Sequence, residues 1–215
     1  LCRSLLSLKC YFITLPVSMI REDSACLIHR PDCYYPPEDG AFQVEGLTFR
    51  VVHTPGHSVG HVSLITPDNV CYAADALLCG EKLKAKLPYG LSLKMMMDSR
   101  EKLPGLGCDF YIAAHRGVCT GAEIGELVRR NRELVLSRAQ TVKDLLDVPR
   151  DLCQVTRLLA QRLELHSHRP RRGLYYERNV HFLLDFLQEL DQVELTVESG
   201  VVYYRRRDDG PIHLV

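Results

Sequence analysis

Apolar and polar residues alternate in several short stretches of the first half of the chain, and this pattern predicts β-strands. Gly46 separates two of them and predicts a hairpin. Helical spacing of apolar residues over 91–103, ended by Pro104, predicts a helix between the last two strands. The predicted strands cover residues 41–45, 47–52, 62–65, 70–75 and 110–115.

In the second half of the chain, apolar residues recur with the spacing of an α-helix instead. Residues 122–146 predict a long amphipathic helix, and Asp151 is a suitable N-cap for a second helix over 152–163. A third helix is predicted over 177–190, followed by a hairpin over 193–204. Three helices followed by a hairpin is a winged-helix order. We therefore expect an α/β protein with a domain over 1–120 and a helical accessory domain over 121–215.

The start of the chain is apolar but interrupted. Residues 1–20 carry Arg3, Lys9 and Pro16, which favours a helix leading into the domain over a membrane span or a cleavable leader. The first residue is Leu1, which fits a truncated, partly observed or processed chain.

Composition narrows the range of partners and compartments. The 27 basic and 27 acidic residues balance, which argues against a strong sequence-independent hold on nucleic acid. The nine cysteines form no Cys-x-x-Cys pair, and we interpret them as reduced thiols of a cytoplasmic protein. We expect a small-molecule substrate and no membrane partner.

Candidate chemistry is concentrated at the ends of predicted strands. His53, His57 and His61 lie within nine residues, in a loop with a Pro-Gly turn. Such spacing indicates a metal site, although histidines of a solvent-facing loop would give the same spacing. Two later strands end on Asp75 and His115, so three successive apolar segments lead to side chains that can bind metal.

Three motifs at these strand ends resemble those of the metallo-β-lactamase superfamily, over roughly residues 40–117. They are Thr-Pro-Gly-His ending at His57, Tyr-Ala-Ala-Asp ending at Asp75, and Ile-Ala-Ala-His ending at His115. The resemblance implies that His57 binds a first metal, His115 binds a second, and Asp75 bridges both and is catalytic. His53 and His61 match no ligand position and are interpreted as supporting or loop residues.

The resemblance also implies the fold and a missing part. The superfamily fold is an αββα sandwich, of which this chain would supply mostly the second half, and some relatives carry a small C-terminal domain. The motif His-x-His-x-Asp-His, which supplies two ligands to each metal, is absent from the sequence. We expect that this chain lacks an N-terminal half, that a second subunit completes the site, or that the site has been lost. We interpret the one His-x-His, His166 to His168, as part of a polar loop.

These features predict a metal-dependent hydrolase that uses a metal-activated water to cleave an ester, thioester, amide or phosphodiester bond. Zinc is expected, two ions per complete site, with iron or manganese as alternatives. Lys82, Lys84 and Lys86 form a loop that either attracts an anionic substrate or is simply solvated. One alternative is a degenerate, non-catalytic binding protein. Another is a nucleic-acid-binding protein or nuclease that uses Arg171 and Arg172, against which the acidic residues of the third helix argue.

Overall fold

A six-stranded β-sheet occupies the first half of the molecule. The structure is a computed structural model that describes residues 39–84, 86–114, 117–165 and 169–212. The strands follow one another across the sheet in chain order. They are β1 (Gly40–Val44), β2 (Leu47–His53), β3 (Val62–Ile65), β4 (Val70–Ala74), β5 (Phe110–Ala113) and β6 (Gly117–Thr120).

The direction of the strands decides which ends meet. All neighbouring pairs are antiparallel except β4 and β5, which are parallel. Strands β2, β4 and β5 therefore run in one direction, and their C-terminal ends lie at one edge of the sheet. The helix α1 (Leu93–Lys102) connects the parallel pair, as the predicted β-α-β segment requires. Strand β6 was not predicted from the sequence.

One face of the sheet packs against helices. Register partners in four adjacent strands, Ile65, Cys71, Tyr111 and Cys119, are all buried on this face. They join a cluster that also contains the first turns of helix α2 (Ile124–Asp144). The opposite face also carries apolar side chains, of which Val118 remains 63% exposed. A sheet that is apolar on both faces is the kind that a layered α/β sandwich needs.

The helices form a second apolar cluster beside the first. It combines α1, the later turns of α2, α3 (Leu152–Arg162) and α4 (Pro170–Glu189), and its centre includes the fully buried Val135, Ala139 and Leu183. Helix α2 is 21 residues long and therefore contributes to both clusters. All described residues belong to one compact unit that begins at Pro37. The division into domains 1–120 and 121–215 stays a prediction.

A small three-stranded sheet completes the C-terminal half. It pairs β7 (Arg150–Asp151), β9 (Val201–Arg206) and β8 (Val193–Glu198) in that order across the sheet. The predicted helices and hairpin are present, and the short strand β7 is an addition. The Asp151 N-cap is present as a full capping box with Gln154. The winged-helix comparison itself stays a prediction.

The start of helix α4 corrects one expectation. The sequence predicted a helix from residue 177, whereas the helix begins at Pro170. Proline suits the first turn of a helix because its missing N–H has no intrahelical partner there. The arginines that follow therefore lie on a helix that leads directly to Arg178.

Some expectations concern residues outside those that the structure describes. They are the helix over 1–20 and the pair His166 and His168. Within the described ranges, no helix combines the length and the apolar character needed to cross a membrane.

Candidate active site

Three strand ends meet at the edge of the large sheet where β2, β4 and β5 finish. Strand β2 ends at His53, and β4 ends at Ala74, immediately before Asp75. Strand β5 ends at Ala113, two residues before His115 in the sequence, and Ala113 is the register partner of Ala74. His115 itself lies outside the described residues.

The loop that carries His57 is fastened at its base and along its length. The Thr54 N–H donates to the His61 carbonyl at 2.9 Å, which closes the base of the loop. The Ser99 hydroxyl donates to the Pro55 carbonyl at 2.7 Å, and the Ser92 N–H donates to the Gly56 carbonyl at 3.1 Å. These hydrogen bonds fix the loop against helix α1.

Gly56 allows the loop to approach that helix so closely. Its φ is +129°, a conformation that residues with a Cβ rarely adopt. A Cβ built on Gly56 would lie 2.3 Å from the backbone nitrogen of Met96. The Thr-Pro-Gly-His motif therefore requires glycine for its backbone conformation and for this contact, independently of any chemistry at His57.

The turn that carries Asp75 has a strained backbone. Ala74 has a φ of +45°, which is uncommon for a residue other than glycine and turns the chain at the end of β4. The fully buried Arg100 donates from Nε to the Ala76 carbonyl at 2.7 Å. Burial lowers the pKa of Arg100 to about 10. Strain of this kind persists where the surroundings over-determine it, which is common at functional sites.

Asn131 on helix α2 holds the chain just after Asp75. Its Oδ1 accepts from the Leu78 N–H at 2.9 Å, and its Nδ2 donates to the Leu78 carbonyl at 2.9 Å and to the Leu127 carbonyl at 2.8 Å. Asn131 is completely buried. No pattern in the sequence indicated this role, because Asn131 and Leu78 are 53 positions apart.

We expect Asn131→Leu to lower the free energy of unfolding by about 2–4 kcal/mol, because it leaves both polar groups of Leu78 without partners. Urea unfolding followed by circular dichroism would measure the change. Gln161→Leu, which places leucine at an exposed position of helix α3, is the control and should stay within about 0.5 kcal/mol of the parent protein. Equal effects of the two substitutions would contradict the role of Asn131.

His57 and Asp75 are neighbours in the structure. The imidazole Nε2 of His57 lies 4.0 Å from Oδ2 of Asp75, and both side chains remain about one third exposed, at 31% and 38%. The two residues lie in different loops and are 18 positions apart in the sequence. The arrangement places a nitrogen donor and a carboxylate oxygen side by side where solvent or a substrate can reach both.

The other two histidines of the loop have different surroundings. His53 Nε2 lies 3.0 Å from the Val59 carbonyl, so it donates across the loop. His61 Nδ1 lies 3.0 Å from the Thr54 carbonyl, which can only accept, so Nδ1 carries the proton. His61 Nε2 is then an unprotonated nitrogen, buried and without a hydrogen-bond partner among the described residues. Burial, followed by the neighbouring His57, lowers the pKa of His61.

An aromatic wall borders His57, and sequence reasoning missed it. The ring of Tyr89 meets the His57 imidazole edge to face with centroids 4.8 Å apart, and Phe182 of helix α4 contacts Tyr89 at 5.9 Å. The guanidinium of Arg178 lies over the Tyr89 ring at 4.9 Å. Neither Tyr89 nor Arg178 belongs to a recognisable motif, so only the packing of α4 brings them to the site.

Two lysines of the lysine-rich loop have partners within the chain, and Lys84 is also largely solvent-exposed. Gly80–Lys84 is a short 3-10 helix in which Lys84 pairs with Glu81 at 2.6 Å. The Lys86 ammonium donates to the carbonyls of Leu163 and Glu164, at 2.6 and 3.1 Å, and so caps the end of helix α3. At least these two lysines already have partners within the chain.

The structure therefore describes the positions of only two of the three predicted metal ligands. His57 and Asp75 are adjacent, and His115 lies outside the described residues. Over the described ranges, no three His, Cys, Asp or Glu side chains are grouped closely enough to hold a metal ion.

Comparison with known proteins gives partial matches to hydrolases. A lactamase-like protein of Neosartorya fischeri is 36% identical over 118 residues, which is 53% of this chain and 32% of that protein. A hydroxyacylglutathione hydrolase of Haemophilus influenzae is 30% identical over 102 residues, 47% of each chain. An atrochrysone carboxyl ACP thioesterase of Aspergillus aculeatus is 30% identical over 118 residues, 51% of this chain and 36% of that protein. The chain thus spans less than half the length of these relatives.

Solved structures agree with the sequence matches. A metallo-β-lactamase family protein of Thermus thermophilus superposes with a TM-score of 0.60 and 25% identity, covering 80% of this chain and 54% of its own. A β-lactamase domain protein of Burkholderia ambifaria superposes with a TM-score of 0.62 over 82% of this chain and 53% of its own; at 17% identity it bears on the fold alone. No family model matches the chain.

Proposed function

We propose that this chain, a relative of the metallo-β-lactamase superfamily in sequence and in fold, is part of a metal-dependent hydrolase that cleaves thioesters. The observation that carries the proposal is the pairing of His57 Nε2 and Asp75 Oδ2, 4.0 Å apart at the edge where three strands end. We choose a thioester as the bond that is cleaved because two relatives are named a hydroxyacylglutathione hydrolase and an atrochrysone carboxyl ACP thioesterase.

The described donors fit a metal but do not complete its site. Zinc binds imidazole nitrogen and carboxylate oxygen at about 2.0–2.2 Å, which places two ligands of a tetrahedral ion about 3.4 Å apart. His57 Nε2 and Asp75 Oδ2, at 4.0 Å, would have to approach each other slightly to share one ion. A zinc site takes at least three protein ligands, and His57 and Asp75 are two. His115 is the proposed third, and the remaining ligands of a two-metal site would come from residues outside those described.

The residues of this chain have distinct tasks in the proposed reaction. When bound, the metal would lower the pKa of a coordinated water towards neutrality and polarise the scissile carbonyl. His57 and Asp75 would hold it, and the hydrogen bonds from Ser92 and Ser99 keep the His57 loop in place. Tyr89 covers one side of the His57 imidazole, which restricts its orientation and its access to water. Such pre-organisation is what allows a catalytic group to act without rearrangement.

Elemental mass spectrometry tests the proposal on the protein encoded by the full coding sequence that contains these residues. We expect about two zinc, iron or manganese ions per chain, as in two-metal hydrolases. We also expect thiol release from an acyl thioester, which stops after treatment with a chelator and returns when metal is added.

Two results would count against the proposal. A purified protein with no bound metal and no thioesterase activity would favour a non-catalytic binding protein, in keeping with the absence of a three-ligand cluster among the described residues. Activity that persists after complete metal removal would contradict metal dependence, although the protein would still be a hydrolase.

A further inference from the structure

A guanidinium lies one aromatic ring away from the candidate site. The edge-to-face contact of Tyr89 with His57 has a centroid distance of 4.8 Å, and Arg178 Cζ lies 4.9 Å from the centroid of the same Tyr89 ring. Tyr175, one turn earlier on helix α4, lies 5.6 Å from the same guanidinium. Two tyrosine rings therefore hold Arg178 at the border of the site.

This way of holding Arg178 leaves its hydrogen-bond donors available. The face of a tyrosine ring attracts the positive charge of a guanidinium and carries no oxygen or nitrogen acceptor, so these contacts do not occupy its N–H donors in conventional hydrogen bonds. Arg178 is exposed, and no ion pair joins it to a carboxylate within the described residues. The nearest ion pair on the same helix uses His181 and Asp185, at 3.6 Å. The guanidinium can therefore form two parallel hydrogen bonds to an anion.

Two lysines of the segment that follows Asp75 are less suited to this task. Lys84 pairs with Glu81, and Lys86 donates to two carbonyls at the end of helix α3. An ammonium that already has partners must lose them before it can bind a ligand, which costs free energy. Arg178 needs no such exchange, and its position is fixed by stacking.

We propose that Arg178 binds an anionic group, a carboxylate or a phosphate, on the thiol arm of the substrate, while Tyr89 packs along that arm. The assignment rests on the proposed thioesterase function and adds a substrate class to it, namely thioesters of anionic thiols. In this arrangement the acyl group faces His57 and Asp75, and the charged end of the leaving group faces helix α4.

Direct binding to probes that cannot be hydrolysed tests this assignment without relying on activity. Isothermal titration calorimetry on the full protein would compare 4′-phosphopantetheine with neutral pantetheine, and S-hexylglutathione with its diethyl ester. We expect at least one anionic probe to bind about tenfold more tightly than its partner, the gain typical of a charge-assisted hydrogen bond. A preference in only the first or only the second pair identifies the anion as phosphate or carboxylate.

The variants separate Arg178 from general charge effects. Arg178→Gln should abolish the preference for the anionic probe and leave binding of the neutral partner unchanged, and Arg178→Lys should restore part of the preference. Arg157→Gln, which removes an exposed arginine from helix α3, is the matched control and should leave all four affinities unchanged. A preference that survives in Arg178→Gln, or no preference in the parent protein, would overturn the assignment.

Thiol release measured on the same preparations distinguishes this inference from the proposed function. If thioester hydrolysis is absent but anion binding depends on Arg178, the proposed thioesterase function is refuted and the proposed anion site is supported. Hydrolysis with equal selectivity in the parent protein and Arg178→Gln would refute the anion site alone.

Discussion

Replacing Gly56 with alanine should lower the free energy of unfolding by about 3–5 kcal/mol, because strain at an unsuitable φ and overpacking add together. The φ of Gly56 is +129°, and an added Cβ would lie 2.3 Å from the Met96 backbone nitrogen. Backbone atoms of helix α1 cannot move aside as a flexible side chain can. The loop that carries His57 would therefore separate from the helix, and the site would lose its fixed imidazole.

Denaturant unfolding of Gly56→Ala and Gly60→Ala measures this effect with a control from the same loop. Gly60 has open space around a built Cβ and lies at the surface. We expect Gly60→Ala to be neutral or to stabilise the protein by up to about 1 kcal/mol, since alanine restricts the unfolded chain. Similar losses for both substitutions would show that the close approach to Met96 does not determine the stability of the loop.

His57→Ala and Asp75→Ala should each lower kcat/KM for thioester hydrolysis about a thousandfold. In a metal-dependent hydrolase the metal contributes several kcal/mol to stabilising the transition state, and each 1.4 kcal/mol corresponds to a factor of ten in rate. Because both side chains are about one third exposed, at 31% and 38%, the fold should tolerate their loss. We expect less bound metal in each variant and changes in unfolding free energy below about 1 kcal/mol.

Thiol-release kinetics and elemental analysis on the same samples check this expectation. The control is His181→Ala, which removes a partly exposed imidazole on helix α4 that pairs with Asp185. This variant should keep the parent activity and metal content. Unchanged kcat/KM in His57→Ala would remove the loop histidine from the mechanism, and lost activity with full metal content would assign it a role other than ligation.

The motifs in the sequence led to the same class of proteins that the comparisons then matched. Thr-Pro-Gly-His at His57 and the strand-end Asp75 lie in a chain whose relatives are hydrolases and whose structural neighbours are metallo-β-lactamase proteins. The strands that carry them were predicted with boundaries close to those observed, because each is a short apolar run bounded by turn residues. The ligand roles of His57, Asp75 and His115 stay predictions.

Sequence patterns did not predict which charged residues are buried. Helical charged residues are expected on the surface, yet Arg100 is buried beneath the Asp75 turn and Lys143 is buried against the chain that follows β9. Their burial depends on acceptors far away in the sequence. For Lys143 these are Gln192, Asp208 and Gly210, at 2.7 to 2.9 Å.

The sequence by itself determined the chemistry available at the strand ends and most of the strands and helices, because hydrophobic periodicity and glycine or proline turns are local properties. The exceptions are β6, β7 and the first turns of α4. Only the tertiary structure decided that His57 and Asp75 are neighbours, since that depends on strand direction and on how two loops are fastened to helices. Packing also decided that Tyr89 and Arg178 border the same site. Such contacts join residues from separate elements, and no local pattern encodes them.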